Sequence, residues 1–418
     1  MMAMLTAGKR TILLLSRCSK SFLTAIEESR AKAFNHYGTI GITCNFNQSV
    51  KLISDSSIVK QLLKRNDKRR SNAIPISCFH TQLEINKNRE HNIDPYKLLE
   101  DELKYIYVDI RQEISRATTH QELHKMASYY LDGQGKAFRP MVTILMAKAL
   151  NCHTLNANQS TATAQRQIAM VAEMIHTASL VHDDVIDQSF ARRGKPSVNV
   201  LWNHKQLAQA GDYILAVASM LLARLKHDEV TLIISQVLTD LVQGEFMQLV
   251  ATESENDRFA HYYTKTYRKT ASLIANSLKA VGVVSGADTR MVQLSYQYGR
   301  NIGLAFQLLD DLLDFVSSSE EIGKPVAVDL KLGLATAPVL FASEEFPELN
   351  PMIRRHFRGP GDVERAYELV HQSQGLEETR FLVRRHCHEA QRLASRLDDS
   401  PYQKGLIVVT DLLLNRMK

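Results

Sequence analysis

The chain has 418 residues, 44% of them hydrophobic, which is enough for one large buried core. Its net charge of +6 is unevenly spread: residues 1–90 hold 15 Lys and Arg against 6 Asp and Glu, leaving 36 against 39 beyond them. A slightly acidic body argues against nucleic acid as a partner, and five scattered cysteines (Cys18, Cys44, Cys78, Cys152, Cys387) argue against a disulfide framework or a zinc site.

As far as Ala25 the chain carries Lys9, Arg10, Arg17 and Lys20 and no acidic residue, mixed with Leu13, Leu14, Leu15, Ser16 and Ser19. That composition reads as a mitochondrial transit peptide, directing the protein to the matrix side. A secretory signal fits less well, because the apolar run Thr11–Leu15 is short and soon followed by Arg17. From about residue 26 to 90 the sequence is polar and irregular, with a basic run from Lys64 to Arg70, and is expected to be disordered. No stretch approaches the ~20 apolar residues that span a bilayer, so any membrane association would be peripheral. The expected organisation is a leader over 1–90 and one folded domain over 91–418.

From Pro95 onward, apolar residues recur at three- and four-residue spacing. They predict helices over 97–116, 120–131, 138–150, 163–187, 206–224, 229–251, 258–284, 289–317 and 335–345, and onward to the C-terminus. Glycine and proline punctuate them, at Gly133, Gly135, Gly194, Pro196, Gly286, Gly323 and Pro325 among others. Alternating strand patterns are absent apart from short ambiguous runs. The fold class is therefore all-α, a single helical bundle around a deep central cavity.

The first marked motif in this frame is Gly135-Lys136-Ala137-Phe138-Arg139-Pro140, whose Lys136 and Arg139 would project together from one helical turn. Asp183-Asp184-Val185-Ile186-Asp187 follows the apolar stretch 170–181, and Arg192-Arg193-Gly194-Lys195-Pro196 makes a turn close behind it. Asp310-Asp311-Leu312-Leu313-Asp314 repeats the first cluster's spacing after the apolar stretch 302–309. On a helix Asp183 and Asp187 share a face, as do Asp310 and Asp314, with Cβ atoms about 6 Å apart. One such cluster alone is more often a solvated face. A pair of them in apolar helices is different, because like charges at that spacing weaken a helix and ask for a cation. Hard oxygen ligands of this kind suit Mg²⁺, which keeps several waters and shares its shell with phosphates. Arginine forks and lysine point charges on either side are suited to anchoring two anionic substrates.

With Gly244-Glu245-Phe246-x-Gln248, Lys269-Thr270, Phe306-Gln307, Gly323-Lys324-Pro325 and Asp329-Leu330-Lys331 added in order, the chain resembles the trans-polyprenyl diphosphate synthases over about residues 95–418. Within that family it is most similar to the mitochondrial decaprenyl and solanesyl diphosphate synthases that make the ubiquinone tail. The resemblance implies that Asp183, Asp184, Asp187, Asp310, Asp311 and Asp314 are the catalytic set. Asp183 and Asp187, with Asp184 in support, would hold Mg²⁺ on the allylic diphosphate, and Asp310 and Asp314 a further Mg²⁺. It assigns Lys136, Arg139, His176 and Arg193 to isopentenyl diphosphate. It assigns Arg192, Lys269, Thr270, Gln307 and Lys324 to the allylic diphosphate, with Gln248 and Thr270 flanking the growing chain or its headgroup.

Family members also set product length at the residues four and five before the first aspartate, here Ser179 and Ala178. Both are small, which implies an open tunnel and a long product. One departure from the pattern is Leu334, which stands where many members have a lysine. The chemistry implied is ionisation of the allylic diphosphate, attack by the alkene of isopentenyl diphosphate, and loss of a proton. The relatives in question work with a second, degenerate subunit in a heterotetramer, and the same is expected here. A shorter-chain farnesyl or geranylgeranyl synthase, a terpene cyclase, and a non-catalytic regulatory subunit are the alternatives. Small Ala178 and Ser179 argue against the first, and the Asp-Asp-x-x-Asp form of the second cluster against the cyclase. The intact clusters and Arg-Arg loop argue against the regulatory subunit.

Overall fold

The computed structural model describes residues 93–133, 135–154, 158–192, 194–249, 257–316 and 327–417. The leader, and with it the expected domain boundary at residue 90, lies outside the described residues. Among the described residues, thirteen helices of eight residues or more carry the fold: α1 Ile106–Arg116, α2 Gln121–Ser128, α3 Phe138–Thr154, α4 Gln159–Ile186, α5 His204–Arg224, α6 Asp228–Leu249, α7 Arg258–Thr266, α8 Ser272–Val284, α9 Thr289–Val316, α10 Ala337–Glu345, α11 Asp362–Gln372, α12 Gly375–Ala394 and α13 Pro401–Asn415. The described residues contain one strand pair, the antiparallel ribbon of β1 Ala191–Arg192 and β2 Lys195–Pro196, turned by Gly194 at φ +74°.

Helix starts follow their caps. Asn158 accepts from the Thr161 amide at 2.8 Å, which begins α4 a turn ahead of its apolar pattern. Asn203 and Ser400 cap α5 and α13 in the same way. The stretch expected as one helix over 97–116 is broken, because Leu99, fully buried, takes non-helical angles between the short turns Pro95–Leu98 and Glu100–Lys104.

Helix α8 runs through the middle and packs on α3, α4, α6 and α9. Its residues from Ser272 to Leu278 are all buried, as a helix enclosed on every side requires. Each fully buried Leu or Ile on it contributes about 1.5–3 kcal/mol. The flanking helices α4 and α9 are each 28 residues long, and each carries an aspartate cluster at its C-terminal end. Helix α12 lies on the far side of α9, and α13 packs on both α12 and α3.

Between α7 and α8 the helix widens into a π turn, Tyr267–Ala271, in which the Ser272 amide donates to the carbonyl of Tyr267 five residues back. Helix α9 approaches it closely at Gly303, where an added Cβ would lie 2.5 Å from Ala271 Cα. That neighbour is backbone and cannot swing aside. We expect Gly303→Ala to destabilise the fold by about 1–3 kcal/mol in denaturant titration, and unchanged stability would refute this close packing.

The expectation about apolar stretches needs one correction. Helix α5, 21 residues, is long and apolar enough to cross a bilayer by length and composition alone. Packing accounts for that character: Leu207, Ala210, Gly211, Ile214, Val217 and Ala218 are buried, and α5 lies along α4.

Candidate active site

Asp183 and Asp187 end α4 one turn apart, the Asp187 amide donating to the Asp183 carbonyl at 2.8 Å. Burial pushes the Asp183 carboxyl up to about 6, and the charges of Glu245 and Asp187 add to the rise. Asp187 is raised as well, again chiefly by burial. The counter-charge comes from Lys269, whose ammonium lies 2.7 Å from Glu245 and donates to Gln248 Oε1 at 2.9 Å. Gln248 thus holds a lysine rather than standing alone on the wall. Glu245 was legible only as part of a motif, though its place three residues before Gln248 puts both on one face of α6.

Asp184 turns inward and is fully enclosed. One of its oxygens accepts from Nε and Nη2 of Arg192 at 2.9 and 2.7 Å, and the other accepts from the Tyr130 hydroxyl. It therefore ties β1 to the end of α4 and fixes Arg192 beside the cluster. Lys195 pins the other strand, donating to the Tyr129 carbonyl at 2.7 Å and to Asp132 at 2.6 Å. Arg193 lies outside the described residues.

The second cluster has the same division. Asp311 is buried, accepting from the Tyr262 hydroxyl and from Gln307 Nε2 at 2.9 Å, while Gln307 Oε1 accepts from the Thr270 hydroxyl at 2.8 Å. Asp314 accepts the Val328 and Asp329 amides, both at 3.0 Å, and so caps the short helix Val328–Lys331. Asp310 stays partly exposed, with Arg416 Nη2 3.5 Å away. Asp329, which the motif reading gave no role, is pushed up to about 7 by burial and by the charges of Asp311, Asp314 and Asp310. Lys265 lies near the second cluster: burial lowers its pKa, while Asp311, Asp329 and Glu245 pull it back up. Spacing gave a hint of it, since Lys265 is four residues before Lys269, but a lysine at that spacing is usually a solvated one.

Lys136 and Arg139 do not share a helical turn. Helix α3 begins at Phe138, and Ala137 takes the left-handed conformation at φ 44°, so Lys136 sits exposed in the loop before it. The segment still meets the second cluster's helix, with the Phe138 and Phe306 ring centres 5.2 Å apart. His176 is half-buried on α4, and its carbonyl accepts from the Ser179 hydroxyl at 2.9 Å. Ser179 is partly exposed one turn from Asp183, whereas Ala178 is fully enclosed. Lys331 is exposed, and the Leu334 amide donates to the Asp329 carbonyl at 2.8 Å. Lys324 lies outside the described residues.

Among the described residues, no three carboxylate, imidazole or thiol groups form a metal cage by themselves. The raised pKa values of Asp183 and Asp187 mark carboxylates that a divalent cation would relieve, and Mg²⁺ would complete its shell there with water and phosphate.

The sequence profile described as Polyprenyl synthetase matches residues 120–370. The all trans-polyprenyl-diphosphate synthase PDSS1 of Homo sapiens is 52% identical over 349 residues, covering 83% of each chain. The decaprenyl-diphosphate synthase subunit 1 of Schizosaccharomyces pombe is 38% identical over 357 residues, covering 80% of this chain and 92% of its own. Among solved structures, a polyprenyl synthase from Caulobacter crescentus, complexed with calcium and isoprenyl diphosphate, aligns with a TM-score of 0.68. It shares 28% identity and covers 78% of this chain and 97% of its own. With paired aspartate walls on an all-helical frame and a profile match over more than half its length, the chain belongs to the polyprenyl synthetase family and is a prenyltransferase.

Proposed function

We propose that the protein elongates an allylic diphosphate, with farnesyl diphosphate as starter, by successive additions of isopentenyl diphosphate. The product is a long all-trans polyprenyl diphosphate of nona- or decaprenyl length, destined for the ubiquinone side chain. The observation that carries this reading is the pair of aspartate-bearing helix ends, the first beside the charge of Lys269 and the second beside that of Lys265, with small Ala178 and Ser179 on the same helix as the first.

Asp183 and Asp187 would hold Mg²⁺ on one wall, and Asp310 and Asp314 on the other. When bound, the metal would draw charge from the allylic diphosphate and so favour ionisation of its C–O bond. Lys269 and Arg192 hold that diphosphate, and Lys136, Arg139, His176 and Arg193 orient isopentenyl diphosphate for attack. Met174, Leu308 and Leu312, all fully buried, keep the flanks of both clusters dry, which protects a carbocation from water. The departing diphosphate takes the proton lost after attack.

Each added five-carbon unit contributes about 3–4 kcal/mol if buried, at roughly 0.8 kcal/mol per carbon group, so an open tunnel favours long products. Ser179→Phe is the cleaner test, because Ser179 is partly exposed while Phe at fully enclosed Ala178 would have to displace packed neighbours. Ser179→Phe is expected to shift the product ladder to short chains, and an unchanged ladder would sink the tunnel argument.

The basic leader supports a site of action in the mitochondrial matrix. The name of the fission-yeast relative includes the words subunit 1, which supports a further subunit; the partner proposed is a degenerate synthase subunit in a heterotetramer. The deciding assay supplies leader-trimmed protein with farnesyl diphosphate, labelled isopentenyl diphosphate and Mg²⁺, alone and co-expressed with its partner. Long products only with the partner would support the heteromeric enzyme. Long products from the protein alone would remove the partner from the reading, and short products alone would overturn it.

A further inference from the structure

The π turn Tyr267–Ala271 delivers Lys269 and Thr270 to the site, and such widened turns do not hold themselves: they are rare, single and less stable than regular helix. Something outside must fix this one. On its N-terminal side the Tyr267 and Tyr296 hydroxyls are hydrogen-bonded at 2.7 Å. Its C-terminal neighbour Ser272 donates its hydroxyl to Asp240 Oδ2 at 2.5 Å. Asp240 lies on α6 with only 8% of its surface exposed, and it also accepts from Gln236 Nε2 at 3.1 Å. Asn276 Nδ2 closes the group by donating to the Ser272 hydroxyl and carbonyl, both at 3.0 Å.

Helix α6 thus grips one short segment repeatedly as it rises. Asp240 takes Ser272. Gly244 lets the π turn come close, since a Cβ there would lie 2.8 Å from Lys269 Cγ. Glu245 and Gln248 then hold the Lys269 ammonium. A buried carboxylate is a costly way to bind a serine hydroxyl, and burial raises its pKa against the pull of Ser272, Gln236 and Arg268. A neutral side chain would do if the only task were to fill space.

We propose that Asp240 is a positioning residue: its bond to Ser272 fixes the π turn and so sets where the Lys269 ammonium stands. Loosening that bond lets the segment relax toward ordinary helical pairing, which withdraws Lys269 from Glu245 and Gln248. The inference rests on the reading of Lys269 as a diphosphate contact given above.

The test is steady-state kinetics on the full enzyme, with its partner present if activity needs it, with thermal unfolding measured alongside. Asp240→Ala and Ser272→Ala are expected to raise KM for the allylic diphosphate about tenfold, leaving KM for isopentenyl diphosphate within about threefold. Asp240→Asn keeps an acceptor for Ser272 and should restore most of the loss. Lys269→Ala should be worse than either, and adding Asp240→Ala to it should cost little more, because both act through one ammonium. Ser272→Ala keeps the Asp240 carboxylate, with Gln236 still donating to it, and serves if Asp240→Ala does not fold. An impaired Lys269→Ala beside Asp240→Ala and Ser272→Ala of normal KM would overturn the positioning role alone, as would losses that multiply in the double variant. A Lys269→Ala enzyme with unchanged KM would overturn the reading of the site and this inference with it.

Discussion

Asp183→Asn is expected to lower kcat/KM for chain elongation by at least about 10³-fold, a few kcal/mol of lost transition-state stabilisation, while leaving the metal-free protein as stable as before or more so. The two halves have one cause. Asp183 is held up to about 6, against an ordinary 3.8, by burial and by Glu245. The folded state therefore binds this proton more tightly than the unfolded chain, so stability falls as pH rises from about 3.8 to 6, and the full cost stands at pH 7. Allowing for partial solvent access, that cost is about 2 kcal/mol. A neutral amide removes it and removes the proposed metal ligand too. Urea unfolding with EDTA at pH 7 measures the first effect, and the rise in Tm on adding Mg²⁺, smaller in the variant, measures the second. A variant that still elongates, or one clearly less stable without metal, would contradict the assignment of Asp183.

The second large effect concerns His386, fully buried on α12. The Tyr263 hydroxyl lies 3.0 Å from its Nε2 and Asn301 Oδ1 lies 2.8 Å from its Nδ1. Asn301 Oδ1 can only accept, so Nδ1 carries the proton, and the Tyr263 hydroxyl donates to Nε2. A neutral ring already satisfies both partners. Burial, aided by the charges of Arg300 and Arg385, pushes the imidazole down to about 3. Below its ordinary 6.5 the unfolded chain takes up a proton that the folded protein refuses, so stability is lost as pH falls from about 6.5 toward 3. Between pH 7 and 5 the loss is about 2 kcal/mol from this group. Asp183 and Asp329 change in the opposite sense over that range, so the informative quantity is a difference between proteins. His386→Gln should unfold more readily at pH 7 and lose less stability than the parent on going to pH 5. Equal losses in both would show that His386 is not the group responsible.

Much of the frame was legible because helices of this length advertise themselves. The apolar periodicity before Asp183 and before Asp310 placed α4 and α9, and the four-residue spacing of the outer aspartates put each pair on a face. The inner aspartates were legible in position but not in direction. Asp184 and Asp311 turn away from their neighbours to meet Arg192 and Tyr262, and Tyr262 comes from a helix 49 residues away in sequence. Lys265 was hidden for the same reason, an unremarked charge until folding sets it near the second cluster, and Asp329 was legible only as part of a motif. The π turn reads locally as plain helix, since Tyr-Arg-Lys-Thr-Ala holds neither proline nor glycine, and the residues that meet it, Asp240, Tyr296 and Gly303, lie on other helices. Left-handed Ala137 was unreadable because nothing in an alanine announces positive φ.

A π turn is a helix with one residue too many, and that places a constraint on chain length as well as on identity. Deleting a single residue between Thr266 and Ser272 would restore regular pairing with the flanking helices nearly in register, whereas regular pairing with every residue kept would rotate everything beyond it by about 100°. Either Lys269 would then turn away from Glu245, or the enclosed face of α8 would turn out of its seat against α3, α4 and α9. No side-chain exchange nearby could repair both. The extra residue is therefore absorbed without unseating α8, and its loss should be felt at Lys269 and Thr270 rather than in the packing of the frame.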